Sequence, residues 1–183
     1  MALGFRLAQD VYTVQTRLAL MKNSITYKVG DLIIPGATAG IVTNETGSIA
    51  GDYYPIGLVV GFAGPNGQVL GQGTAQTAAN TPATYAAAAD NQTVAQYQVQ
   101  YIPLTEDMLL KGTLDAVAGT TGGLSDEKFV YFNLADCRTI AENSVVAYTN
   151  ATPLQLLSEG LDPLDTTNFT VICRLVKNTQ NRP

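Results

Sequence analysis

Glycine is concentrated in one stretch of this chain: eleven of its seventeen glycines lie between Gly30 and Gly73. Short apolar runs separate them, at 32–34, 41–42, 56–62 and 69–70. Because glycine readily adopts the positive φ angles of tight turns, this pattern is typical of brief strands joined by turns. The sequence GPNG at 64–67 predicts a hairpin between the last two runs. We therefore expect a mainly β fold, a single small β-barrel or sandwich domain with short strands and at most one or two short helical turns.

The chain has 183 residues, and 46% of them are hydrophobic. This is enough for one domain with a substantial core. Residues 1–23 have no sustained period of 2 or 3.6, and we assign them to an extended N-terminal arm. Residues 24–177 form the β-rich domain, which contains a low-complexity loop insert at 74–93 rich in Ala and Thr. Residues 178–183 are a polar tail that we expect to fray.

The clearest strand signal in the second half is at 96–101, where Gln96, Gln98 and Gln100 alternate with apolar or aromatic residues. A strict period of two predicts a half-buried strand. Its glutamine row faces either solvent or a neighbouring subunit, and we expect a subunit interface there. Residues 104–110 (LTEDMLL) predict a short helical turn, and turns are predicted at 119–123 and 160–163.

Charge is sparse and unevenly distributed. Charged residues make up 14% of the chain, below the roughly 25% of typical soluble domains. The arm is basic, whereas residues 29–110 contain no Lys or Arg and six acidic residues. The arm either contacts an acidic partner surface or is a first strand with a solvated face. The contact residues expected in the first case are Phe5, Arg6, Arg17 and Lys22. Tyr85, in the insert, is expected to contact a partner, unless the insert is only a surface excursion.

The chain lacks the equipment of most catalytic and cofactor sites. It contains no histidine and only two cysteines, which excludes the commonest general base and a four-ligand zinc site. Two acidic pairs, Glu106-Asp107 and Asp126-Glu127, are the remaining candidates for hydrolysis, but the chain has no Trp to stack a sugar. A calcium site at Glu159, Asp162 and Asp165 departs from EF-hand spacing. We therefore expect no enzymatic activity, no cofactor and no bound metal.

Partners and compartment follow from charge and hydropathy. The net charge of −5 argues against nucleic acid as a partner. No apolar run approaches the roughly 20 residues of a membrane span, and the N-terminus lacks the apolar core of a signal peptide. We therefore expect synthesis in the cytoplasm of the cell that makes the protein, no membrane partner, and free thiols at Cys137 and Cys173 rather than a disulfide.

The order of features resembles the small β-rich decoration proteins, also called cement or auxiliary capsid proteins, of tailed bacteriophages. The likeness covers about two thirds of the chain and excludes the arm and the insert. The segments that carry it are 29–34 (VGDLII), 55–61 (PIGLVVG), 111–116 (KGTLDA), 129–136 (FVYFNLAD), 160–163 (GLDP) and 170–176 (TVICRLV).

The resemblance implies a structural role without catalytic residues. Proteins of this family bind the outside of an expanded capsid as homotrimers and clamp adjacent major capsid subunits against internal DNA pressure. The virion surface would be the location, and the major capsid protein would be the partner. Deletion of residues 1–23 would then abolish shell binding and leave a folded core. The alternative function is a tail- or fibre-associated β domain that binds a host-surface glycan.

Overall fold

The computed structural model describes residues 4–8, 14–23, 25–36, 39–44, 55–64, 69–72, 84–86, 97–106, 108–114, 131–132, 134–141, 154–162 and 165–176. Within these ranges the chain forms strands and no helix, which confirms the mainly β prediction. The strands are β1 (Arg6–Leu7), β2 (Arg17–Met21), β3 (Thr26–Lys28), β4 (Leu32–Pro35), β5 (Ile41–Thr43), β6 (Gly57–Ala63), β7 (Val69–Gln72), β8 (Thr84–Ala86), β9 (Gln98–Pro103), β10 (Leu109–Leu114), β11 (Tyr131–Phe132), β12 (Thr139–Ile140), β13 (Leu154–Asp162) and β14 (Asp165–Leu175).

The glycine-rich half of the chain closes on itself. Its strands are ordered β4-β5-β2-β9-β6-β7, and β4 also pairs with β6. The five strands β4, β5, β2, β9 and β6 therefore form a ring, and β7 extends from the free half of the β6 edge. Each of the five strands pairs with a neighbour on both sides, so the ring is a small barrel-like unit, which agrees with the predicted β-barrel or sandwich domain. The β6–β7 pairing confirms the predicted hairpin.

The barrel interior is filled by alternate residues of its strands, as the pleat requires. The buried cluster consists of Met21, Tyr27, Ile33, Val42, Val59, Phe62 and Val99. Tyr27 enters from β3, and its hydroxyl donates a 2.7 Å hydrogen bond to the carbonyl oxygen of Val42. A buried Tyr hydroxyl needs such a partner, so this bond fixes β3 against the barrel.

A second sheet packs against the outside of the barrel. Its order is β1-β10-β14-β13-β11, and β12 pairs with β10 in parallel. The core between the two layers contains Leu32, Ile34 and Leu58 of the barrel and Leu110, Leu114 and Val171 of the sheet, with other residues. Strand β4 thus contributes to both cores, because Ile33 points into the barrel while its neighbours point to the sheet. This explains why 32–34 is apolar without alternation.

Two local predictions in the second half were right about a turn but wrong about its extent or position. Where a helical turn was predicted at 104–110, the structure has one short turn, in which the Met108 amide donates to the Thr105 carbonyl oxygen. Strand β10 then begins at Leu109. Pairing with β14 places Leu110 opposite Cys173 in the core, and this tertiary contact overrides local helix propensity. The predicted turn at 160–163 is also displaced, since Gly160 and Leu161 still pair with Thr170 and Phe169 within the β13–β14 hairpin.

Candidate contact surface

The exposed outer side of the barrel at β2 and β9 is the candidate contact surface. Leu18 lies opposite Gln100 in the β2–β9 ladder, and Leu20 lies opposite Gln98. Directly opposed residues lie on the same side of a sheet. Val99, between the two glutamines, faces the barrel core, so Gln98, Gln100 and the leucines opposite them lie on the outer side. We call the patch formed by Thr16, Leu18, Gln98 and Gln100 the amide face.

The amide face is uncharged, and part of it is ordered by its own hydrogen bonding. The Gln100 Nε2 donates a 2.8 Å bond to the Thr16 Oγ1. Leu18 is 52% exposed, and it is the large hydrophobic side chain that stands out as exposed in the described part of the chain. The predicted alternation at 97–101 is confirmed, because Val99 is buried and Gln98 and Gln100 are half-buried on the opposite side. Gln96 lies outside the described residues.

The residues predicted for the arm are divided between the two layers. Phe5 is 1% exposed in the core between the layers, and Arg6 pairs with Lys111 at the edge of the second sheet. Arg17 is exposed on β2 opposite Tyr101, on the other side of the strand from the amide face. Lys22 follows the end of that strand, and its amide donates to the Val42 carbonyl oxygen.

This placement differs from the expectation of an arm that is separate from the domain. The described part of residues 1–23 supplies one strand to each sheet, β1 and β2. The physical reason is that Phe5 and Met21 bury their side chains in the two cores, which outweighs the solvation of the basic residues between them. Phe5 can therefore contact a partner only if β1 leaves its place.

The insert is described only at Thr84–Ala86, which pairs with β3 so that Tyr85 lies opposite Tyr27. The side chain of Tyr85 and the rest of residues 74–93 lie outside the described residues. The contact predicted for Tyr85 therefore stays a prediction.

A buried polar cluster joins the barrel to the second sheet, and no sequence pattern predicted it. Arg138, in the turn before β12, forms an ion pair with Asp31, which precedes β4 and is 1% exposed. The Asp31 Oδ2 also accepts a 2.6 Å bond from the Asn44 Nδ2 and a 2.8 Å bond from the Lys28 amide. Asp31 and Arg138 are 107 positions apart in the sequence, so neither spacing nor local composition links them.

Local hydrogen bonds hold the turn that carries Arg138 in position. The Asp136 Oδ1 accepts 2.7 Å bonds from the amides of Arg138 and Thr139, which shapes the turn that presents the guanidinium. The Leu32 amide donates to the Cys137 carbonyl oxygen at 2.8 Å, so a backbone bond runs beside the ion pair. Burial raises the pKa of Asp31, and the Arg138 charge and the two hydrogen bonds lower it only in part. The Asp31 side chain is 2% exposed and the Arg138 side chain 13% exposed, so the cluster is largely shielded from solvent and links the two layers.

Most of the groups considered for catalysis and metal binding lie outside the described residues, among them the side chains of Glu159, Asp162 and Asp165. Glu106 is exposed at the turn before β10, and the other three acids of the two pairs lie outside those residues. No group of three or more Cys, Asp or Glu there is placed to hold a metal ion. Cys137 and Cys173 are free and buried, as predicted. Burial raises the pKa of Cys173 to about 12, so its thiol is protonated at neutral pH.

Within the described ranges no helix is long and apolar enough to cross a membrane. In comparisons with known proteins, no protein-family model, no curated protein and no solved structure matches this chain.

Proposed function

We propose that this chain is a structural capsid decoration protein that binds the outer surface of an expanded phage head as a homotrimer. It clamps adjacent major capsid subunits and so stabilises the shell against internal DNA pressure. The sequence resemblance implies this role, and the virion surface is then its location. No catalytic step, cofactor or nucleic acid is part of the proposal.

The observation that carries the proposal is the amide face on the closed barrel. A face of Gln, Thr and a half-exposed Leu suits burial against protein, because amides and hydroxyls can be satisfied across an interface without the cost of desolvating a charge. The two strands that carry it are held inside the ring, where β2 is flanked by β5 and β9. The face is thus preorganised, which reduces the entropy lost on binding.

A matched pair of variants tests this assignment. Leu18→Asp introduces a charge at the centre of the amide face, and we expect its affinity for expanded heads to fall about tenfold or more, since interface anchors commonly contribute over about 1.4 kcal/mol. Thr105→Asp introduces the same charge at an exposed position in the turn before β10, outside that face, and should leave the affinity within about twofold. Both variants should keep the circular dichroism spectrum of the unchanged protein.

Affinities are measured by co-sedimentation with expanded, DNA-filled heads over a range of protein concentrations. Equal loss of binding in the two variants would mean that charge in general, and not the amide face, controls attachment. Unchanged binding by Leu18→Asp would remove the amide face from the contact.

A further inference from the structure

The N-terminal segment, residues 4–8, occupies a defined slot at the edge of the second sheet. The Phe5 amide donates a 2.8 Å bond to the Gly30 carbonyl oxygen, and the Ala8 amide donates a 2.8 Å bond to the Leu109 carbonyl oxygen. Between them Arg6 and Leu7 pair with Lys111 and Leu110. We call this place, lined by Gly30, Leu109 to Gly112, Arg138 and Ile140, the N-terminal slot.

The slot is specific for the side chains it holds. A Cβ on Gly112 would lie 2.6 Å from the Phe5 Cε1, so the Phe5 ring fills the space that this glycine leaves open. Gly4 has a φ of 79°, and a Cβ on it would lie 2.8 Å from the Gly30 carbonyl oxygen and the Arg138 Nη2. The slot therefore requires glycine followed by a large apolar ring.

The segment is separable from the domain that it completes. Among the described strands β1 pairs only with β10, whereas the next strand, β2, lies in the barrel. The connection from Leu7 to Arg17 advances ten residues and reaches at most about 35 Å when extended. Because the docking contacts named above are all made by residues 4–8, a segment from another copy would make the same contacts.

We propose that the N-terminal slot accepts the segment of a second copy of this chain, so that neighbouring copies exchange β1. The exchange loses no contact of the slot and costs only the entropy of association, which is why swapped elements are a low-cost route to oligomers. A head-to-tail exchange gives a ring where the rotation between neighbours closes, and closure after three members gives the proposed homotrimer. The inference rests on the self-association in the proposed function and not on capsid binding.

Concentration decides which segment fills the slot. In dilute solution a chain's own segment competes at an effective concentration of roughly millimolar and fills its own slot. In a crowded array of copies, segments from neighbours reach similar local concentrations, and exchange follows. Exchange would link copies without any change in the fold of each.

The test places the two halves of one cross-strand pair on different chains. Arg6 and Lys111 lie directly opposite each other, within the Cα separation that a disulfide bridges. Arg6→Cys and Lys111→Cys variants are mixed at high concentration and oxidised, and peptide mapping locates the bonds. Only exchange brings position 6 of one chain beside position 111 of another. The native Cys137 and Cys173 are buried and should not interfere.

We expect the mixture to give covalent dimers joined through positions 6 and 111, at least about fivefold more than a control mixture of Arg17→Cys with Lys111→Cys. Adding Phe5→Ala to the Arg6→Cys chain should lower the yield toward the control. The double variant Arg6→Cys/Lys111→Cys in one chain reports whether the pair can bond at all, and a short bismaleimide replaces oxidation if it does not. An intrachain bond there, with no mixed bond above the control, would overturn exchange. No capsid is needed, so failure of shell binding does not affect the result.

Discussion

Deletion of residues 1–23 is expected to unfold the barrel and not merely to release an arm. The deletion removes β2, which pairs with β5 on one edge and β9 on the other. It also removes Met21, which is fully buried, and the Lys22 amide that donates to the Val42 carbonyl oxygen and the Tyr27 hydroxyl. Loss of a strand from a closed ring opens two edges and exposes its core, a cost comparable with the roughly 5–15 kcal/mol that stabilises a typical domain.

A shorter deletion provides the matched control. Removal of residues 1–8 takes away β1 and Phe5 but leaves the barrel ring complete, so this variant should still unfold cooperatively in urea at a lower midpoint. Far-ultraviolet circular dichroism and urea titration distinguish the two variants. Cooperative unfolding by the chain that lacks 1–23 would contradict the role given to β2.

Arg138→Met is expected to lower the free energy of unfolding by about 3–5 kcal/mol at neutral pH. The change leaves the buried Asp31 carboxylate without its cation, and an unpaired buried charge is among the most destabilising features a fold can contain. Arg174→Met removes an exposed arginine that bonds to Gln155 and should cost less than about 1 kcal/mol. The double variant Asp31→Asn/Arg138→Met removes both charges and should recover much of the loss.

The Arg138→Met loss should also depend on pH in a defined direction. Burial raises the folded-state pKa of Asp31 above its unfolded value of 3.8, and the Arg138 charge opposes that rise. Removing the Arg138 charge raises the folded-state pKa of Asp31 further. The stability that is present below the unfolded-state pKa is therefore lost as the pH rises through the folded-state pKa. The deficit relative to the unchanged protein should therefore be larger at about pH 8 than at about pH 5. A deficit that stays constant with pH would show that the unpaired Asp31 charge is not its cause, and a deficit that matches Arg174→Met would show that the cluster does not link the layers.

Local pattern was sufficient to place many of the strands. Apolar runs bounded by glycine predicted β4, β5, β6 and β7, and the strict alternation predicted β9. These elements follow from side-chain period and turn chemistry, which act over a few residues. The hairpin was predicted for the same reason, from the turn sequence GPNG at 64–67. The free thiols were predicted from the expected compartment and not from local pattern.

Features that depend on distant contacts were not predictable. Closure of the barrel needs β4 to pair with β6, and nothing in either strand names its partner. Leu109 and Leu110 suit a helix or a strand equally well, and pairing with β14 decides between them. Phe5 stands in a segment without period, so its place in the core follows only from the space above Gly112. The Asp31–Arg138 pair is a contact of the same kind.

The amide face combines residues that local pattern predicts with residues that only a distant contact brings together. Gln98 and Gln100 were predicted on one side of a strand, while Thr16 and Leu18 join them only because β2 is the neighbour of β9. The sequence predicts an extended arm at 1–23, so Leu18, which is 52% exposed on β2, is not among the contact residues predicted from sequence.

The central claim is decoration of a capsid, and the number of copies bound per shell tests it most directly. Purified protein is incubated with expanded, DNA-filled heads that lack it, and bound copies are counted after sedimentation against the major capsid protein. The proposal predicts saturation at a fixed ratio to that protein, on the order of hundreds of copies per head, since a trimer serves each group of neighbouring capsid subunits. Saturation at about a dozen copies or fewer, or no binding at all, would contradict decoration.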